Sequence, residues 1–142
     1  MRETLPNIRM IVRPVKDSDA EVWTELRTRL WPDDGHLEEI SHYFWGQSDE
    51  PQAVLVAELP PQGIVGCVEL TIRSCVANCS SNRVGYIEGL YVVPRARHRG
   101  VARALVKASL AWARAEGCLE FASDRADRVV VFRKFLQSRS RA

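Results

Sequence analysis

The chain has 142 residues, 46% hydrophobic and 27% charged, with a formal net charge of +2. That is one domain, residues 1–142, with enough chain to bury a core, and a composition ordinary for a soluble globular protein. No apolar run approaches the roughly 20 residues of a membrane span and no signal-peptide apolar stretch opens the chain, so the expectation is a cytoplasmic protein without a membrane partner. The four cysteines (Cys67, Cys75, Cys79, Cys118) make no Cys-x-x-Cys pair, which points to reduced thiols and no metal site. Charge is unevenly spread. Residues 1–90 hold 8 Lys and Arg against 14 Asp and Glu, a balance of −6, and residues 91–142 hold 12 against 4, a balance of +8. A basic C-terminal part suits an anionic cofactor and an acidic N-terminal part suits a cationic substrate, although solvated surface accounts for many of these charges. No basic run is interleaved with aromatics, so nucleic acid is not an expected partner.

In chain order, residues 8–12 read as a strand. Ser18-Asp19-Ala20-Glu21 matches a capping box and opens a helix with Val22, Leu26 and Leu30 on one face. Pro32 ends it, leaving Trp31 at its exit. A short helix over residues 34–45 carries Leu37, Ile40 and Phe44 inward and stops at Gly46. The acids Asp33, Asp34, Glu38 and Glu39 either stabilise that helix N-terminus or contact a substrate. Residues 53–59 and 64–73 read as strands joined by Pro60-Pro61-Gln62-Gly63. After a polar loop comes a strand over 86–93, whose apolar run Leu90-Tyr91-Val92-Val93 is stopped by Pro94. A helix over 101–116, with Val101, Leu105, Ala108 and Trp112 at helical spacing, ends at Gly117. Strands over 119–123 and 129–132 follow, and residues 136–142 read as a basic tail. Strand, helix and strand in sequence imply a parallel pair with a right-handed crossover. The whole is an α/β fold: a mixed, mostly antiparallel sheet with helices on both faces.

Several residues stand out chemically. Arg97-His98-Arg99-Gly100-Val101-Ala102 puts arginines and a glycine at a helix N-terminus, a seat for a phosphate or pyrophosphate. It is neither a GxGxxG nor a GxxxxGK[ST] loop. Glu88 lies inside an otherwise apolar strand, where an unpaired charge is costly. It either faces a cleft or pairs with a local arginine such as Arg83. Asp124 ends the parallel strand on the side where such sheets bind ligands, or caps a turn. Trp31 offers a flat face to a sugar ring or a cation, or packs in the core. His98 reads as a loop residue, and His36 and His42 as structural or surface residues.

The Arg99-Gly100-Val101-Ala102 turn after a buried strand resembles the acyl-CoA signature of the GCN5-related N-acetyltransferases (GNAT). Leu30-Trp31-Pro32, Ile87-Glu88-Gly89-Leu90-Tyr91-Val92, Ala122-Ser123-Asp124 and Val131-Phe132-Arg133-Lys134, in that order, resemble the aminoglycoside 6'-N-acetyltransferases within it. The resemblance implies acetyl-CoA as co-substrate, an aminoglycoside as cationic acceptor and a role in antibiotic resistance; a homodimer is a separate expectation. It implies a sheet whose parallel strands splay around CoA. Glu88 would bind the acceptor and remove its proton, with Trp31 and Asp124 as further substrate contacts. Leu90, Tyr91 and Val92 would hold the acetyl and pantetheine groups, and Arg97, His98, Arg99, Gly100, Val101 and Ala102 the pyrophosphate. Other expectations are acetylation of a different amine or a protein lysine, or a shortened relative that only binds ligand. The last arises because Asp124 and Arg128 are separated by three residues, where the resembling enzymes carry about twenty more in a helix and a strand. That shortening removes a CoA contact, uncovers the 101–116 helix, invites self-association and predicts weaker CoA binding with reduced or no turnover. No tyrosine follows Tyr91, so the phenolic proton donor usual in the family has no candidate downstream.

Overall fold

Long apolar runs in this chain form the middle of a six-stranded mixed sheet. The computed structural model describes residues 9–125 and 128–134, with Arg125 and the last strand given by backbone alone. The strands are β1 (Ile11–Pro14), β2 (Ala53–Glu58), β3 (Ile64–Arg73), β4 (Val84–Val92), β5 (Glu120–Arg125) and β6 (Arg128–Lys134), side by side in chain order. Every neighbouring pair is antiparallel except β4–β5, which is parallel. Helices α1 (Ala20–Leu30) and α2 (His36–Phe44) precede β2, and α3 (Val101–Ala115) makes the crossover from β4 to β5.

β3 shows why the sheet is covered on both faces. Its residues 65–71 are all buried, the continuous pattern of a strand with no solvent face. Gly66 faces Val101 and Leu105 of α3, and Glu69 on the opposite face reaches Trp23 of α1. Trp23 is fully buried and meets Tyr43 and Phe44 of α2 edge-on at 5.2 and 5.7 Å. This aromatic cluster locks the helix pair onto the sheet.

Several sequence readings need correction. The Ser18–Glu21 capping box does not form. Residues 17–19 make a 3-10 turn instead, and Asp19 accepts the Lys16 backbone N–H at 2.8 Å. Asp19 also takes a fork from Arg13, at 2.7 and 3.0 Å. Leu37 is not inward but 64% exposed; the phase of α2 buries His36 in its place. On α3 the fully buried line is Val101, Leu105, Ser109 and Ala113, while Ala108 and Trp112 flank it. Arg83 does not pair with Glu88; it donates to the Glu116 carbonyl oxygen at 2.7 Å.

The short link after Asp124 is accommodated as antiparallel pairing of β5 with β6, Arg125 opposite Arg128. Leu110 and Trp112 of α3 are half-buried against the core, so this helix keeps its cover. The exposed large apolar side chains among the described residues are Ile11, Leu37 and Trp45. The 136–142 tail lies outside the described residues.

The Arg13 fork, followed by the Lys16 amide, holds the Asp19 carboxyl below its ordinary 3.8. A depressed carboxyl stabilises the fold above its unfolded value and loses that contribution as pH falls through the folded value. Asp19→Asn is therefore expected to cost about 2 kcal/mol at neutral pH and almost nothing well below pH 3.8. Urea midpoints of both proteins across the acid range check it.

Candidate active site

The two parallel strands part company. β4 pairs with β5 from Val84↔Glu120 to Ile87↔Ser123 and no further. Beyond that point β5 continues against β6, while β4 runs on to Val92 against β3 alone. The Ser123 hydroxyl donates to the Ile87 carbonyl oxygen at 3.1 Å, closing the fork where the strands diverge. Residues 88–92 thus have an open edge on the β5 side.

A bulge sits at the same place. Glu69 pairs with Gly89, but Leu70 pairs with Ile87, so Glu88 is the extra residue. A bulge re-aims side chains, and here Glu88 lines a pocket with residues of α1 and α2 while the Cβ direction of Gly89 points at Leu30 and Trp31. Glu88 is held hard: Arg73 Nε and Nη2 donate to its two oxygens at 2.8 and 2.6 Å, and the Thr71 hydroxyl donates at 2.6 Å. The Arg73 guanidinium lies 3.9 Å from the centre of the Tyr86 ring, and the Tyr86 hydroxyl donates to Asp124 Oδ1. Burial first, and that hydrogen bond second, push the Tyr86 phenol up, which keeps it a donor. Asp124 itself is exposed. The two acids singled out in the sequence are therefore linked through Arg73 and Tyr86.

Above the bulge lies a pocket of about 560 Å³. Glu88, Glu69 and Thr71 form its sheet wall, and Arg27, Trp31, Asp33, His36, Glu39 and Glu50 contribute from the helices and loops. Arg27 Nη2 pairs with Glu39 at 2.6 Å, its Nε lies 3.3 Å from Glu69, and its guanidinium sits 5.5 Å from the Trp31 ring. His36 Nε2 lies 2.6 Å from the Trp31 carbonyl oxygen; a carbonyl only accepts, so that nitrogen carries the proton. With five carboxylates against one arginine on its wall, the pocket favours a cation.

At the other end of β4, a cavity of about 310 Å³ is lined by Val92, Arg97, His98, Gly100, Val101 and Ala102, with Ala96 and Arg103. Leu90, Tyr91 and Arg99 do not line it. His98 and Gly100 are left-handed, with φ of 65° and 82°, and Gly100 precedes the first turn of α3, which carries no acidic residue. Arg97 Nε donates to the Val92 carbonyl oxygen at 2.9 Å, and its guanidinium lies 5.5 Å from the Tyr91 ring. Among the described residues no group of three or more His, Cys, Asp or Glu side chains is placed to hold a metal ion, and no helix is long and apolar enough to cross a membrane.

A model of the Acetyltransferase (GNAT) family matches residues 19–134. The chain belongs to the GNAT acetyltransferases. This acetyltransferase is 46% identical over 117 residues to aminoglycoside N(6')-acetyltransferase type 1 of Klebsiella aerogenes, covering 80% of this chain and 77% of that protein. Its fold superposes on aminoglycoside N-acetyltransferase AAC(6')-Iy in complex with CoA at a TM-score of 0.75, with 32% identity over 87% of this chain and 82% of that one. On AAC(6')-Iy bound to the bisubstrate analogue CoA-S-monomethyl-acetylneamine the TM-score is 0.73, with 34% identity, 84% and 81% covered.

Residues 88–92 leave a strand edge open, and the chain runs from it to Gly100 at the start of α3, with Arg97 and Arg99 just before it. Sequence reasoning missed Arg73, Tyr86 and Glu69 as members of the acid-walled pocket or its supports. Glu69 had a usable signal: like Glu88, it is a lone acid inside an apolar strand.

Proposed function

We propose that the protein transfers the acetyl group of acetyl-CoA to the 6'-amino group of aminoglycosides. The observation that carries this reading is the acid-walled pocket lined by Glu88, the residue after the last β4–β5 pair, in a chain so similar to 6'-N-acetyltransferases. The co-substrate supplies an activated acyl carbon. Backbone of Leu90, Tyr91 and Val92 on the open edge holds its acetyl and pantetheine portions. The Arg97-His98-Arg99-Gly100-Val101-Ala102 turn takes the pyrophosphate on backbone N–H groups. Glu88, fixed by Arg73 and Thr71, takes an ammonium of the acceptor beside the acyl carbon. Trp31 gives an aminoglycoside ring a flat wall, and Asp124, exposed and not among the pocket's lining residues, takes a second ammonium.

In this reading the protein acts in the cytoplasm and confers aminoglycoside resistance. A homodimer is proposed through the exposed apolar residues.

Thiol release from acetyl-CoA, followed with and without neamine, tests the reading. Neamine-dependent release supports it; equal release without an acceptor contradicts it. Tyr86→Phe is expected to raise KM for neamine about tenfold with kcat nearly unchanged, because Asp124 loses the Tyr86 hydroxyl that fixes it and wanders. Steady-state kinetics with neamine varied check this.

A further inference from the structure

Two carboxylates form the sheet wall of the acceptor pocket, and they are differently prepared. Glu88 has both oxygens engaged by Arg73 and Thr71. Glu69 is 3% exposed yet still lines the pocket. Its Oε2 takes the Trp23 Nε1–H at 3.1 Å and lies 3.3 Å from Arg27 Nε. Its Oε1 accepts no hydrogen bond from the described residues. In the sheet Glu69 stands opposite Gly89, next to the bulge and just past the point where β4 leaves β5.

Resting on the function proposed above, we propose that Glu69 is the general base of the transfer, receiving the acceptor's proton on Oε1 while Glu88 orients the ammonium. The step balances. Glu69 takes one proton from the ammonium, and the freed lone pair forms the C–N bond to the thioester carbon. The C–S bond breaks with its electrons on sulfur, the second nitrogen proton goes to that thiolate, and Glu69 returns its proton to water.

The groups facing Glu69 fit this role. Arg27 comes from α1, His36, Glu39 and Tyr43 from α2, Cys67 from its own strand and Glu88 from β4. Burial pushes the Glu69 carboxyl up, and Arg27 and Trp23 pull it partly back. A carboxylate raised toward neutrality accepts protons better than an exposed one. A raised carboxyl destabilises the fold progressively as pH rises from its unfolded value to its folded one, and fully above that, so an uncharged replacement should not cost stability through the charge.

Glu69→Gln keeps an acceptor for Trp23 and removes the basic oxygen. Expected are a fall of about 100-fold in kcat with neamine and acetyl-CoA, loss of the acid limb of the pH–kcat/KM profile, and a thermal midpoint equal to wild type or higher. Neamine affinity by calorimetry without acetyl-CoA should change by less than about tenfold, since Glu88 remains. A kcat within threefold of wild type, a loss confined to neamine affinity, or an unmoved acid limb overturns the assignment. Should the amide variant not fold, Glu69→Asp decides: a displaced acid limb supports the role and an undisplaced one overturns it. Wild-type protein that releases no thiol with neamine would overturn the acceptor reading and the base with it. Turnover by wild type alongside an equally active Glu69→Gln protein would overturn only the base.

Discussion

Gly89→Ala is expected to lower kcat/KM for neamine by about 100-fold and to drop the thermal midpoint by several degrees. A Cβ at this position would stand 2.5 Å from Leu30 Cδ2, 2.5 Å from Trp31 Cη2 and 2.8 Å from Trp31 Cζ2. The leucine tip can turn away, but the indole is rigid and must move as a body. Overpacking of this kind costs about 1–3 kcal/mol, which is visible as a lower midpoint. The larger effect falls on the site. Trp31 holds His36 through its carbonyl oxygen and lies against Arg27, which in turn holds Glu39 and approaches Glu69. Displacing the indole therefore disturbs three walls of the pocket, and misplacement by about 1 Å is enough for about 100-fold in rate. Steady-state kinetics and a thermal melt check both effects; full activity would mean that Trp31 takes no part in binding.

Glu88→Gln is expected to lower kcat/KM for neamine about 10- to 100-fold, mainly through KM. The amide still accepts from Thr71, but the Arg73 fork loses its charge partner and the acceptor ammonium loses its counter-ion. Hydrogen bonds to charged groups contribute about 1.5–3 kcal/mol, and each 1.4 kcal/mol is about tenfold. Arg73 would then rest on the Tyr86 ring alone, loosening Asp124 behind it. A loss confined to kcat, with KM unchanged, would make Glu88 rather than Glu69 the proton acceptor.

Much of the frame was legible because it rests on local chemistry. A ten-residue apolar strand such as β3, a proline stop and a glycine-ended amphipathic helix announce themselves. Their order alone gave the parallel pair, and the splay followed from the resemblance. What stayed hidden depends on partners distant in sequence. The bulge that aims Glu88 exists only in the register of β4 against β3. Arg73, fifteen residues from Glu88, becomes its partner by strand pairing, whereas the nearer Arg83 turns to the end of α3. The phase error on α2 has a similar origin. Helical spacing alone favours burying Leu37, but the Trp31 carbonyl makes a buried His36 acceptable. The capping box failed because Arg13, in a neighbouring strand, claims Asp19.

The most direct measurement is product identification. Neamine and acetyl-CoA would be incubated with the protein and the product located by NMR. A single new amide on the 6'-nitrogen, absent without protein, is the expected result. Acetylation at another amine, or none from a protein that binds both substrates, would contradict the proposed function.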